Sequence, residues 1–247
     1  DIIGLMTWYL SAKICLERNN DSLLLAVIKK EISRWNKYLF NVLSITYDSG
    51  SVMKIRENLE SETVESVNYA LEMIDIVIDD SIKPKLILLL DVVPDEEKLK
   101  NLHQFFPGEI PPYSILLEDF INHDYNILSL WAKACTLRNL KEMEGNDLAE
   151  SVVALLFSPE VLLQEESAKL IVRTSRELYR SASLRIPALT RKRLDMIVNG
   201  ETHERELLFE KIQFLSHCFP GIPEEELLTL GMAMTYVSNS NEGSPSF

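Results

Sequence analysis

Apolar residues recur at three- and four-residue steps along most of this chain, broken at short polar or Pro/Gly-containing links. After Asn20 and Asp21, Ile28, Ile32, Trp35, Leu39 and Val42 follow a 4-3-4-3 spacing, which lays one apolar stripe along a helix ending near Asp48. Ser49 and Gly50 break the pattern, and a short helix is expected from Val52 to Leu59. Ser61 is expected to cap the next helix, which reaches Asp80 with the stripe Val64, Val67, Leu71, Ile74 and Ile78. Pro84 opens a helix to about Val92. Pro94 with Asp95, Glu96 and Glu97 opens another, since proline fits a first turn and carboxylates favour the positive end of the helix dipole. The run FFPGEIPP, Phe105 to Pro112, is the expected loop of the first half.

The second half repeats the habit. Helices are expected from Tyr113 to Ile121 and from Asp124 to Met143, the latter stopped by Gly145. The next starts at Asn146 or Asp147, and another runs from Ser158-Pro159 to Leu178. Ile186-Pro187 marks a boundary, and Asn199-Gly200 is a left-handed helix stop. Helices follow from Glu201 to His217 and from Glu224 to about Tyr236, and then a polar tail, NSNEGSPSF, expected to be loop or frayed end. Nothing here alternates with period two, so the fold class read from the pattern is all-α.

Three of these helices carry a small residue at their centre: Ala70, Ala134 and Ala168. Each is followed by a second apolar helix. Units of this kind cannot bury their apolar faces alone, so the pattern predicts a HEAT-like α-solenoid of stacked antiparallel helix pairs over residues 1–200, with an irregular helical bundle as the alternative. Residues 201–247 form a C-terminal helical extension with a flexible tail. The three alanines are expected at helix–helix contacts.

Composition narrows the function. Hydrophobic residues make up 46% of the 247, enough for a sizeable core. The balance of 25 basic against 38 acidic residues, formally -13, argues against nonspecific nucleic-acid binding. Cys15, Cys135 and Cys218 form no CxxC or disulfide framework, which points to a reducing compartment, and each reads as a small buried hydrophobe. The apolar run Leu86–Leu90 with Val92 and Val93 is broken by Asp91, far short of the about 20 residues that span a bilayer. The apolar opening, Ile2 to Leu16, reads as a first solenoid helix, with the tail of a membrane-proximal segment as the alternative. A chain opening at Asp1 reads as an excised piece of a longer protein.

No catalytic or cofactor motif emerges. His103, His123, His203 and His217 are scattered, with no pair spaced to ligate a metal, and there is no phosphate-binding glycine loop or nucleophile elbow. Asp75, Asp79 and Asp80, and Glu224 to Glu226, read as solvated helix ends rather than paired acids. The expectation is a non-enzyme without cofactor. One charge feature departs from the background. Between Lys169 and Arg193 lie eight basic residues and one acid, Glu177. Arg173, Arg176 and Arg180 are spaced to share a helix face, and Arg185 extends the strip. It reads as a docking strip for phosphates, anionic lipid heads or an acidic protein segment, or else as a solvated face balancing the chain's own acidic helices.

Two stretches resemble a known family. Ile45 to Leu90 has a Tyr-Asp turn, a short helix, a Ser/Glu helix start and an Ala-Leu-Glu segment before a leucine-rich helix. This resembles the HEAT-like cytoplasmic region of bacterial ATP/ADP-antiporter-like transporters. Leu207 to Met234 has an apolar helix, a turn at Phe219-Pro220-Gly221 and an acidic-started helix. It is similar to the lead-in helices of a cyclic-nucleotide-binding domain. The phosphate-binding cassette of such a domain is not found here, and a transporter's many spans are lacking, so neither nucleotide binding nor transport carries over. The resemblance implies a non-catalytic interaction or regulatory module at the cytoplasmic face of a membrane. Its partners would be another protein, adjoining domains of the same polypeptide or an anionic membrane surface, and not nucleic acid. A helical domain with a ligand pocket in its concave face, and a structural spacer, are the competing expectations.

Overall fold

The computed structural model describes residues 1–61, 63–140 and 146–235, with the backbone alone for 146–149 and 205. Gly145, Met143, Tyr236 and the polar tail, for which stops and ends are expected, lie outside the described residues. Among the described residues the chain is all-helical, without strands. It divides into two compact units, Asp1–Asp119 and Phe120–Phe247.

In the first unit α1 (Ile2–Arg18) is capped by Asp1 and is buried on every side, through Ile3, Met6, Tyr9, Leu10, Ile14 and Leu16 among others. Helix α2 (Ser22–Thr46) starts where the Asp21 carboxylate accepts from the Leu24 N–H at 3.1 Å. Helix α3 (Ser49–Glu60) is capped by Asp48, α4 (Val64–Val77) by Thr63, α5 (Lys83–Leu90) carries Pro84 in its first turn, and α6 (Asp95–Leu102) follows Pro94. Consecutive helices pack together from α1 to α5, α5 packs on α6, and both α5 and α6 return to α1. The six helices share one core around Met6, Leu10, Phe40, Ile55, Ile74, Leu86 and Leu102. Phe105 to Pro112 is a loop, as its prolines dictate, and it is packed rather than free. A Cβ at Gly4 would meet the Phe106 ring at 3.0 Å, and the Pro111 carbonyl accepts from the Cys15 thiol at 3.3 Å.

Helix α7 (Tyr113–Asn122) leads into the second unit, where α8 (Leu130–Asn139), α9 (Asn146–Leu155), α10 (Val161–Thr174), α11 (Arg176–Ser183), α12 (Ala188–Val198), a 3-10 turn (Glu204–Glu206), α13 (Leu208–Cys218) and α14 (Glu224–Ala233) follow. Helix α10 is the hub, touching α8, α9, α11, α12 and α13. Leu162, Leu163, Ala168, Leu170 and Ile171 bury it on all sides. Ala134 and Ala168 sit on the touching helices α8 and α10, and both, like Ala70, have no exposed surface. At the end of α12, Gly200 adopts φ +73°, the left-handed stop expected of Asn199-Gly200.

Several helix bounds differ from those expected. Ser61 closes α3 instead of opening α4, because Thr63 holds the extended cap backbone. The segment from Asp124 does not run as one helix: Ser129 (ψ 157°) accepts from the Ala132 N–H and starts α8 afresh, and α8 ends at Asn139. The segment from Pro159 breaks at Ser175, which is extended (φ -155°) and caps α11 through the Leu178 N–H at 3.2 Å. The helix expected from Glu201 begins at Leu208. Val42 and Val64, expected on core stripes, are 47% and 72% exposed. Phe40 and Leu43 take the buried flank of α2, and Val67 and Ile74 that of α4.

Candidate functional site

The break at Ser175 divides the basic strip. Arg173 belongs to α10, and Arg176 and Arg180 to α11, so the three do not share one helix face. Arg173 is exposed along its stem, but its guanidinium donates to the Leu140 carbonyl at 2.8 Å, closing the end of α8. Helix α11 is strongly two-sided. Tyr179, Ala182 and Ser183 are buried at three- and four-residue steps, with Ile186 continuing the flank. Arg176, Arg180 and Leu184 follow at four-residue steps on the outer flank, and Leu184 is 73% exposed. Leu189, early in α12, is 86% exposed. Among the described residues no carboxylate lies within ion-pair distance of Arg176, Arg180 or Arg185. Arg185 sets its guanidinium 5.4 Å from the centre of the Phe157 ring. Two other members of the strip turn inward: Lys169 pairs with Glu166 at 2.7 Å, and Arg193 donates to the Gln164 side chain at 2.5 Å.

Beneath the strip lies a charge network that no motif announced. Glu165 and Glu166 of α10 are 5% and 3% exposed. The Glu165 carboxylate accepts from the Leu208 N–H at 3.2 Å, at the start of α13, and burial pushes its carboxyl above the ordinary glutamate range. Arg138 of α8 pairs with Glu210, lies 3.7 Å from Glu166, and stands 4.1 Å over the Phe209 ring. Lys133 of α8 is 4% exposed and donates to the Ile121 and His123 carbonyls at the end of α7, and burial lowers its ammonium's pKa. The legible signal for Glu165 and Glu166 was their setting between Leu162-Leu163 and Leu170-Ile171, which leaves a helix no polar side.

The first unit holds a second candidate. A half-open cleft of about 500 Å³ lies among α1 to α6. Its walls include Met6, Leu10, Phe40, Val67 and Leu89, all buried. Four cations, Lys13, Lys37, Arg56 and Lys98, and two carboxylates, Glu60 and Asp95, also line it. Both carboxylates are taken: Asp95 by Lys13 at 2.5 Å and Glu60 by Arg56 at 2.8 Å. Among the described residues Lys37 and Lys98 have no carboxylate within ion-pair distance, and burial lowers the Lys98 pKa. Asn36, another wall residue, buries its amide oxygen without a hydrogen-bond donor among the described residues.

Elsewhere the inventory is plain. Asp75, Asp79 and Asp80 are at an exposed helix end, where Lys83 pairs with Asp75 and Asp80, and Asp79 accepts from the Tyr47 hydroxyl at 3.1 Å. Cys15 and Cys135 are buried, whereas Cys218, at the end of α13, is exposed, against the expectation for it. Among the described residues no group of His, Cys, Asp and Glu could hold a metal ion, and no helix is long and apolar enough to cross a membrane. Comparison with family models, with curated proteins and with solved structures gives no match.

Proposed function

We propose that this chain is a non-catalytic interaction or regulatory module that docks an anionic membrane surface through α11 and the start of α12. The observation that carries the reading is the outer flank of α11. Arg176 and Arg180 stand there without carboxylate partners among the described residues, beside Leu184 and near Leu189, two leucines left mostly in solvent. A flank that offers guanidinium and aliphatic groups together suits a surface with anionic heads over an apolar interior. Charge alone would be served by a wholly polar face. The proposal keeps the context that the family resemblance implies: a HEAT-like module of a larger bacterial transporter-like protein, facing the cytoplasm. The α8–α10 contact, with Ala134 and Ala168 fully buried on those two helices, favours the stacked-pair part of that reading. The return of α5 and α6 to α1, and the many neighbours of α10, favour an irregular helical bundle, because a solenoid repeat touches only the repeats beside it.

Co-sedimentation with anionic and neutral vesicles tests the docking. Each surface cation is worth about 1 kcal/mol near an anionic bilayer, so Arg176→Glu/Arg180→Glu/Arg185→Glu should lower partitioning by at least about a hundredfold. Binding of the wild-type chain should fall as salt shortens the Debye length from about 10 Å at 0.1 M to about 3 Å at 1 M. Equal sedimentation of wild type and variant would remove the membrane reading.

A further inference from the structure

We propose that the cleft of the first unit binds a single-chain anionic amphiphile, a long-chain carboxylate, with its head at Lys37 and Lys98 and its chain along the apolar wall. This is independent of the docking flank, which belongs to the second unit. Three observations lead to it. The first is size. A cleft of about 500 Å³ falls within the range of about 300–1,000 Å³ usual for small-molecule sites. A peptide helix about 10 Å across fills roughly 400 Å³ per turn, so the cleft would take little more than one turn of a protein partner. A single acyl chain needs far less width.

The second observation is charge. The chain as a whole is formally -13, yet this cleft gathers four cations against two carboxylates. Lys13 and Arg56 already pair with Asp95 and Glu60, leaving Lys37 and Lys98 as the cations without a carboxylate at ion-pair distance among the described residues. Lys37, on α2, is exposed, and Lys98, on α6, is half-buried beside Lys13. Burial and, less strongly, Lys13 disfavour the charged form of Lys98, the Asp95 and Asp91 carboxylates favour it, and burial prevails, a cost that an incoming anion would offset. The third observation is the wall itself. Met6, Leu10, Phe40 and Leu89 belong to the core yet line the cleft, so an apolar chain would extend that core. A compact polyanion such as a nucleotide or free phosphate would meet the cations but leave this wall unused.

The test is calorimetric titration of the full chain with dodecanoate, dodecanol and acetate, each below its aggregation concentration. Dodecanoate should bind saturably at one site. Dodecanol should bind about tenfold or more weakly, the difference expected of a charge-assisted head-group contact, and acetate not measurably. Lys37→Met/Lys98→Met should weaken dodecanoate by a similar factor and leave dodecanol unchanged, which also shows that the variant is folded. Ser33→Trp, which fills the cleft from an exposed wall position, should abolish both. Absence of saturable dodecanoate binding, equal affinity for acid and alcohol, or loss of both ligands in the lysine variant would overturn the proposal.

Discussion

Replacing Phe209 tests the packing that holds the second unit together. Its side chain is 2% exposed, stacks on Trp131 with ring centres 4.5 Å apart at 28°, and lies under the Arg138 guanidinium at 4.1 Å. Truncation to alanine removes a buried ring and leaves a cavity, a change that costs about 3–5 kcal/mol. Phe209→Leu retains most of the apolar burial and deletes the ring-specific terms. Those are about 0.5–1.5 kcal/mol for the stacked pair and about 0.5–2 kcal/mol for the cation over its face, so leucine should cost roughly 1–3.5 kcal/mol. The three tryptophans are Trp8, Trp35 and Trp131, of which the first two lie in the other unit. In a Trp8→Phe/Trp35→Phe background, Trp131 fluorescence therefore reports the second unit alone, which avoids treating a two-unit chain as one transition. Under urea, at an m-value of about 2 kcal/mol/M, the alanine variant should lower the midpoint by about 1.5–2.5 M. A double-mutant cycle of Phe209→Leu with Arg138→Met isolates the cation–ring term, because the Arg138 pairs with Glu210 and Glu166 are lost equally on both sides of the cycle. A coupling energy below about 0.5 kcal/mol would refute the contribution of the guanidinium. A cost for Phe209→Ala under about 1 kcal/mol would refute the place of the ring in the core.

Two further outcomes follow from the same unit. Ala168→Leu on the hub helix should cost about 1–3 kcal/mol through overpacking, read in the same urea assay, because α10 has neighbours on every side and its Ala168 has no exposed surface; an unchanged midpoint would show that α10 has room to shift. Glu165→Gln should be more stable than the wild type at pH 8, with an advantage that shrinks toward pH 5. The folded carboxyl is held above its unfolded value near about 4.3, chiefly by burial, so its stabilising proton is lost as pH rises through the folded value. Melting temperatures of both proteins across that range decide it, and an advantage that grows on acidification would reverse the sign of the argument.

Much of the local structure was written in the chain as punctuation. Pro84, Pro94 and Pro187 stand at helix starts because a missing N–H is harmless there, and Gly200 ends α12 because φ of +73° suits a residue without a Cβ. The prolines of Phe105 to Pro112 likewise excluded a helix, and Ala70, Ala134 and Ala168 are fully buried, as their places in the helix patterns implied. Where two competent caps stood near each other, spacing could not choose between them. Thr63 displaced Ser61, and Ser129 and Ser175 interrupted segments whose apolar period continued across them. The choice lay with packing, since a serine can cap or ride inside a helix and differs by only about 1 kcal/mol between the two. That choice also settled the fate of the basic strip. The i, i+3, i+7 spacing of Arg173, Arg176 and Arg180 reads as one face of an unbroken helix, but the turn at Ser175 sends Arg173 to the Leu140 carbonyl and leaves Arg176 and Arg180 outside. The cleft of the first unit was not legible at all, because Lys13, Lys37, Arg56 and Lys98 come from four helices and each alone reads as an ordinary solvated cation. The sequence by itself determined that the chain is helical, where many of its helices begin, and that three small residues at helix centres are buried. Which helix becomes a hub, which carboxylates are buried and which cations are left without partners was decided only when the helices packed, because burial and pairing depend on neighbours far away in the chain.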